Sequence, residues 1–142
     1  MNLMFLWERY TNRLGDFDFR KKCLVLGLEE DFQNPYWKYL CSAFSFDFTS
    51  AEYCSDILLD IKKIELGEME KTGWSGNAFD TLIYRDRVEI EHQQFSGHPD
   101  WPMWTCTLEE FKIALLGWKR FLEMPISVDS EVIVELPSPR SS

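Results

Sequence analysis

An α+β domain, with a mostly antiparallel sheet and two amphipathic helices, is the fold class the sequence predicts, on three observations. First, residues 78–84 and 88–95 are two strand-like runs joined by the short connection Arg85-Asp86-Arg87, the pattern of a β-hairpin. Second, two stretches, following Thr49 or Ser50 and following Thr107, carry apolar residues at helical spacing. Third, the order is strands, helix, hairpin, helix, strand, which lacks the regular alternation of a parallel sheet. The chain has 142 residues, enough for one domain, taken as 1–136, with 137–142 (Pro-Ser-Pro-Arg-Ser-Ser) as a flexible C-terminal tail. Hydrophobic residues make up 45% and aromatics 15%, ample material for a core.

In residues 3–10, Leu3, Phe5 and Trp7 alternate with Met4, Leu6 and Glu8, which suits a strand, with a short helix as the alternative. Gly15-Asp16 marks a turn. The continuous apolar run Cys23–Leu28 suits a strand buried on both faces. Asn34-Pro35 breaks the chain, and Phe44, Phe46 and Phe48 then alternate with Ser45 and Asp47, a period of two that predicts a half-buried strand. Thr49 or Ser50 caps the first helix, whose apolar stripe is Cys54, Ile57, Leu58, Ile61 and Ile64, and Gly67 stops it. Trp74-Ser-Gly-Asn77 reads as a flexible turn before the hairpin. In the second hairpin strand Val88, Ile90 and His92 share one face, and Glu89, Glu91 and Gln93 the other. Residues 96–106 read as a Gly/Pro/Trp loop. Thr107-Leu-Glu-Glu110 is a capping box opening the second helix, with the stripe Phe111, Ala114, Leu115, Trp118 and Leu122. Ile113 and Leu116 fall outside that stripe, and a final strand, Val132–Leu136, is placed to cover them.

Charge narrows the function. Acidic residues outnumber basic ones 24 to 15, a net charge of −9, which argues against coating nucleic acid or an anionic membrane. The cluster Arg20-Lys21-Lys22, with Arg9 and Arg13, is the one basic concentration and reads as a solvated strand start. No apolar run is long enough to span a bilayer. The first residues, Met-Asn-Leu-Met-Phe-Leu-Trp-Glu, lack a basic segment and a small-residue cleavage site, so no signal peptide is expected. Cys23, Cys41, Cys54 and Cys106 are widely spaced within apolar stretches. That pattern favours reduced, buried thiols of a cytoplasmic protein, although two disulfides are an alternative.

No catalytic motif stands out, and neither a metal nor another cofactor is expected. Glu89 and Glu91 lie near His92 and His98-Pro-Asp100, but on a strand the carboxylates and His92 face opposite sides, so they do not converge on a metal. There is no Gly-x-Ser-x-Gly elbow and no phosphate-binding glycine loop. A nucleophilic pair can be drawn from Cys106 with His92 or His98 only by assuming a fold that joins them.

The acidic balance is more informative. Between Asp47 and Glu70 seven carboxylates stand against Lys62 and Lys63. Glu52, Asp56 and Asp60 are four apart, forming a ridge opposite the apolar stripe of the first helix. Such a ridge is either a solubilising face or a surface complementary to a basic protein. In the loop, Trp101 and Trp104 flank Met103, as an interface anchor or as side chains tucked onto the core.

The segments Trp74-Ser-Gly-Asn-Ala-Phe79, Val88-Glu-Ile-Glu91, Leu108-Glu-Glu-Phe111 and Trp118-Lys-Arg-Phe-Leu122 together resemble small bacterial immunity proteins. These are the antidotes encoded beside contact-dependent or polymorphic toxins. The resemblance implies a small, single-domain, non-enzymatic cytoplasmic protein that neutralises a cognate toxin, most directly a basic nuclease, by protein–protein contact. The toxin contacts it implies are the ridge Glu52, Asp56 and Asp60, the face Glu89 and Glu91, and Trp101 with Trp104 as the apolar anchor. The alternative is an acidic adaptor or structural subunit of a bacterial assembly.

Overall fold

The computed structural model describes residues 1–27 and 33–137. Its elements, in chain order, are strand β1 (Asn2–Thr11), strand β2 (Phe17–Val25) and a π-helical segment (Tyr36–Cys41) that runs on into helix α1 (Ser42–Phe46). Then come α2 (Ala51–Glu65), β3 (Lys71–Ser75), β4 (Phe79–Tyr84), β5 (Val88–His92), β6 (Trp104–Cys106), α3 (Leu108–Leu122) and β7 (Glu131–Glu135). This is the expected α+β class, but with two antiparallel sheets in place of one, ordered β2-β1-β7 and β3-β4-β5-β6, and with a third helical segment. The expected tail lies outside the described residues except for Pro137, as does Leu28 of the expected strand 23–28.

Residues 3–10 are extended, as their alternation predicts: Leu3 and Phe5 are fully buried while Met4 and Leu6 are half-buried. The expected strand 23–28 is corrected. Cys23 and Val25 close an edge strand that begins at Phe17; Leu24 is only half-buried and Leu26 is exposed, so one face is covered and not two.

The expected strand at 44–48 is a correction with a clear cause. Tyr39, Leu40, Ala43 and Phe44 are all buried, adjacent pairs repeating four residues apart, which belongs to a helix. Phe44 ends that buried face, Phe46 points to solvent at 60% exposure, and Phe48 returns to the core beyond the helix end. The period of two seen in three phenylalanines is thus the tail of a longer helical pattern. Phe44 rests against Trp118 with ring centroids 5.7 Å apart. Truncating so fully buried a ring costs about 3–5 kcal/mol.

The two predicted helices form as read. Ser50 caps α2, its hydroxyl accepting from the Tyr53 N–H at 3.1 Å. Thr107 and Glu110 close the capping box of α3, and Glu110 also accepts a 2.6 Å bond from the Tyr36 hydroxyl, tying the π-helical segment to α3. Phe121, rather than Leu122, completes the fully buried stripe of α3. Leu116 stays 48% exposed, so β7 does not cover it. Instead β7 approaches α3 at Gly117, where an added Cβ would fall 2.3 Å from Val134 Cγ1. The Trp118 indole N–H donates to the Phe48 carbonyl at 2.8 Å inside the core.

Two further boundaries move. Trp74 and Ser75 belong to β3, so the turn narrows to the Gly76 region, and the loop before α3 contains the short strand β6.

Candidate functional site

Pleating of the second sheet sorts its side chains into two faces. Phe79, Thr81 and Ile83 of β4 and Val88 and Ile90 of β5 point into the core. Asp80 and Leu82 of β4 and Glu89 and Glu91 of β5 therefore point outward, Asp80 directly opposite Glu91 and Leu82 opposite Glu89. These residues, with Gly73 and Met103, line a shallow depression of about 360 Å³. Glu89 accepts a 3.1 Å bond from the Arg87 guanidinium, Glu91 accepts from the Ser96 hydroxyl, and Asp80 accepts from the Gln93 amide at 3.1 Å. Arg87 pairs with Glu89 of this carboxylate set and is shared with Asp86.

Of the residues singled out from the sequence, the structure brings Glu89 and Glu91 together on this outer face. Sequence reading missed Asp80 as their neighbour, although the period of two through 79–84 carries that signal. Met103, 48% exposed, is the part of the aromatic loop that reaches the depression. Trp101 and Trp104 do not: both are half-buried on the other side of the sheet. Trp101 packs against His92 (4.6 Å between centroids) and Phe79 (6.2 Å), and Trp104 stacks on Tyr39 at 5.8 Å.

The ridge of α2 divides. Glu52 and Asp56 are exposed, but Asp60 is half-buried and accepts bonds from the Thr72 hydroxyl (2.8 Å) and the Trp74 indole N–H (3.2 Å). Asp60 therefore joins α2 to β3, and the expectation of three freely exposed carboxylates is corrected to two.

A second hollow, also about 360 Å³, opens between the first sheet and the inner side of the second, walled by Cys23, Trp37, Phe46, Phe79, His92 and Trp101. His92 Nδ1 accepts from the backbone N–H groups of Gln94 (3.1 Å) and Phe95 (3.3 Å), so in the neutral ring the proton sits on Nε2. Burial pushes the Cys23 thiol well above its ordinary value, and burial with the nearby Glu110 carboxylate does the same to Cys106. Cys54 is pushed up to about 12. All four cysteines are free and buried, and the raised values hold Cys23, Cys54 and Cys106 in the thiol form. Cys106 is not in the hollow with His92, so the pair drawn from the sequence is not assembled there.

Among the described residues no group of three or more His, Cys, Asp or Glu converges as metal ligands would, and no helix is long and apolar enough to cross a membrane. Comparisons with protein-family models, with curated proteins and with solved structures each find no match for this chain.

Proposed function

We propose that this chain is a protein-binding antidote: a cytoplasmic, non-enzymatic immunity protein that neutralises a basic toxin domain, most directly a nuclease, by docking it on the outer face of the second sheet. The observation that supports this reading is the cross-strand pairing of Asp80 with Glu91, next to Glu89. Like charges directly opposed on a sheet are destabilising to the protein that carries them. A partner's lysine or arginine seated between them turns that repulsion into attraction, and the acidic field around it speeds encounter with a cationic surface. Met103 at the rim adds the adaptable apolar contact that interfaces favour.

The test is co-expression with the product of the gene immediately upstream, read as growth rescue and co-elution. The wild-type chain rescues growth, and Asp80→Lys with Glu91→Lys abolishes both rescue and the salt dependence of the complex. Glu52→Lys with Asp56→Lys leaves them unchanged. A neighbour that is harmless, or toxic but unbound, removes the antidote reading. Loss of binding only in the α2 variant moves the docking surface to the helix.

A further inference from the structure

We propose that β2 is a self-complementary edge at which two copies of this chain pair antiparallel about Phe19, joining their first sheets into one continuous sheet. The inference does not rest on the toxin-binding reading, whose surface belongs to the other sheet.

The first sheet leaves part of itself unsupported. β7 pairs with β1 only over Asn2–Leu6, whereas β1 and β2 stay paired out to Thr11 and Phe17. Among the described residues the outer half of the hairpin is therefore a two-stranded ribbon, a construction that is marginal in water by itself. Phe17, Asp18, Phe19 and Arg20 are all exposed, with Phe17 at 67% and Leu14 at the tip at 86%.

The ladder fixes which backbone groups face outward. The Leu26 N–H donates to the Asn2 carbonyl (2.9 Å) and the Asn12 N–H to the Asp16 carbonyl (2.8 Å). With the register Glu8↔Arg20 and Tyr10↔Asp18, even-numbered residues of β2 exchange bonds with β1. The N–H and C=O groups of Phe17, Phe19 and Lys21 point to the open edge. Asp18 Oδ1 accepts from the outward Phe19 N–H at 2.8 Å, a local bond that holds this edge in the single chain.

Charge along the strand then selects one register. Asp16 and Asp18 precede Phe19, and Arg20, Lys21 and Lys22 follow it. Pairing about Phe19 sets Asp18 opposite Arg20 of the second copy, Asp16 opposite Lys22 and Phe17 opposite Lys21, each twice by symmetry. It also makes the outward-facing residues 17, 19 and 21 the hydrogen-bonded pairs, as an antiparallel ladder requires. The neighbouring registers, centred on Asp18 or on Arg20, set Asp18 against the second copy's Asp18 or Arg20 against the second copy's Arg20, so each opposes a like pair at its centre, whereas pairing about Phe19 opposes none. Glu8 bonds Arg20 Nε at 2.9 Å from the β1 side, so in the pair Arg20 lies between Glu8 and the second copy's Asp18. Asp18 gives up the Phe19 N–H, which meets the Phe19 carbonyl of the second copy instead. The two-fold pairing closes on itself and does not propagate.

Sedimentation equilibrium of the full chain from about 1 to 500 μM tests this, because so short an edge supports a dissociation constant on the order of 10–100 μM. The wild-type mass doubles across that range. Asp18→Lys and Arg20→Glu each weaken association by about tenfold or more, since each converts two attractive pairs into repulsive ones. The swap Asp18→Arg with Arg20→Asp returns it to within a few-fold of wild type. Phe19→Pro, which removes an outward N–H and no bond to β1, keeps the chain monomeric while its thermal melt is retained. A wild-type mass that stays monomeric, single reversals without effect, or a swap as weak as the singles overturns the proposal. Dimerisation that survives Phe19→Pro overturns it as well.

Discussion

The Asp47 carboxylate occupies the space that a side chain on Gly76 would need: a Cβ there would lie 2.2 Å from Asp47 Cγ. Asp47 is only 6% exposed, and its two oxygens accept the N–H groups of Asn77 (2.8 Å), Ala78 (2.9 Å) and Phe79 (3.0 Å). One residue just past α1 thus shapes the turn that sends β3 into β4, and the second sheet starts from it. Burial and the nearby Asp80 charge outweigh those three donors and hold the Asp47 carboxyl above its usual range.

Asp47→Ala is expected to cost about 2–4 kcal/mol, because three turn N–H groups lose a charged acceptor at once. Gly76→Ala costs about 2 kcal/mol or more, since a carboxylate held by three bonds cannot swing aside. The double variant falls short of the sum, because removing the Asp47 side chain empties the space that the new methyl fills. Urea denaturation of the four proteins measures this, and strict additivity would show that the two residues do not share that space.

Thr81→Val is expected to stabilise the protein by about 0.5–1.5 kcal/mol. The Thr81 hydroxyl is buried with no hydrogen-bond partner among the described residues, on a residue only 2% exposed, and valine keeps the shape without the desolvated oxygen. A thermal melt checks it; a lower midpoint would mean that the hydroxyl finds a partner in solution.

Asp60→Ala is expected to destabilise by about 1–2 kcal/mol, as the Thr72 hydroxyl and the Trp74 indole N–H lose their acceptor. Glu52→Ala and Asp56→Ala, exposed on the same helix, stay within about 0.5 kcal/mol of wild type. Equal effects at all three positions would contradict the division of the ridge.

Acid should loosen the β1–β2 hairpin before the core. Lys22, 2.9 Å away, and Arg20 hold the Glu8 carboxyl below its ordinary value. A depressed folded value means that the contribution is complete above the unfolded carboxylate value, about 4.3. It is then lost as pH falls through the lower, folded one. Because the pair is near the surface, the effect is below about 1 kcal/mol. Amide exchange at residues 8–20 followed from pH 6 to pH 3 reads it out, and Glu8→Gln removes the pH dependence. An unchanged profile in that variant would assign the loosening to other carboxylates.

Local patterning determined much of this protein. The capping box at Thr107–Glu110, the serine cap and apolar stripe of α2, and the strict alternation of Val88 to Glu91 are signals within one or two turns of chain. Each produced the element it predicts, because nothing distant competes with it. Where the expectation failed, the deciding contact came from far along the sequence. Phe44 and Phe48 looked like one face of a strand; with Tyr39, Leu40 and Ala43 they end a helical pattern instead, and the surface it buries against is distant, Trp118 stacking on Phe44 and donating its indole N–H to the Phe48 carbonyl. Gly117 is a poor helix residue whose place follows only from Val134 lying against it.

The same division holds for the candidate surfaces. Period two placed Glu89 and Glu91 on one face from sequence alone, but only strand register could set Asp80 opposite Glu91. Only tertiary packing could turn Asp60 from a ridge carboxylate into a joint between α2 and β3, and seat Trp101 on His92 and Trp104 on Tyr39, where the sequence left both an anchor and a core packing open. Periodicity reports which side of an element is apolar. It carries no information about which element lies across from it, because that pairing is decided by contacts with residues outside the element, ten or more positions away in Asp80–Glu91 and Asp60–Thr72.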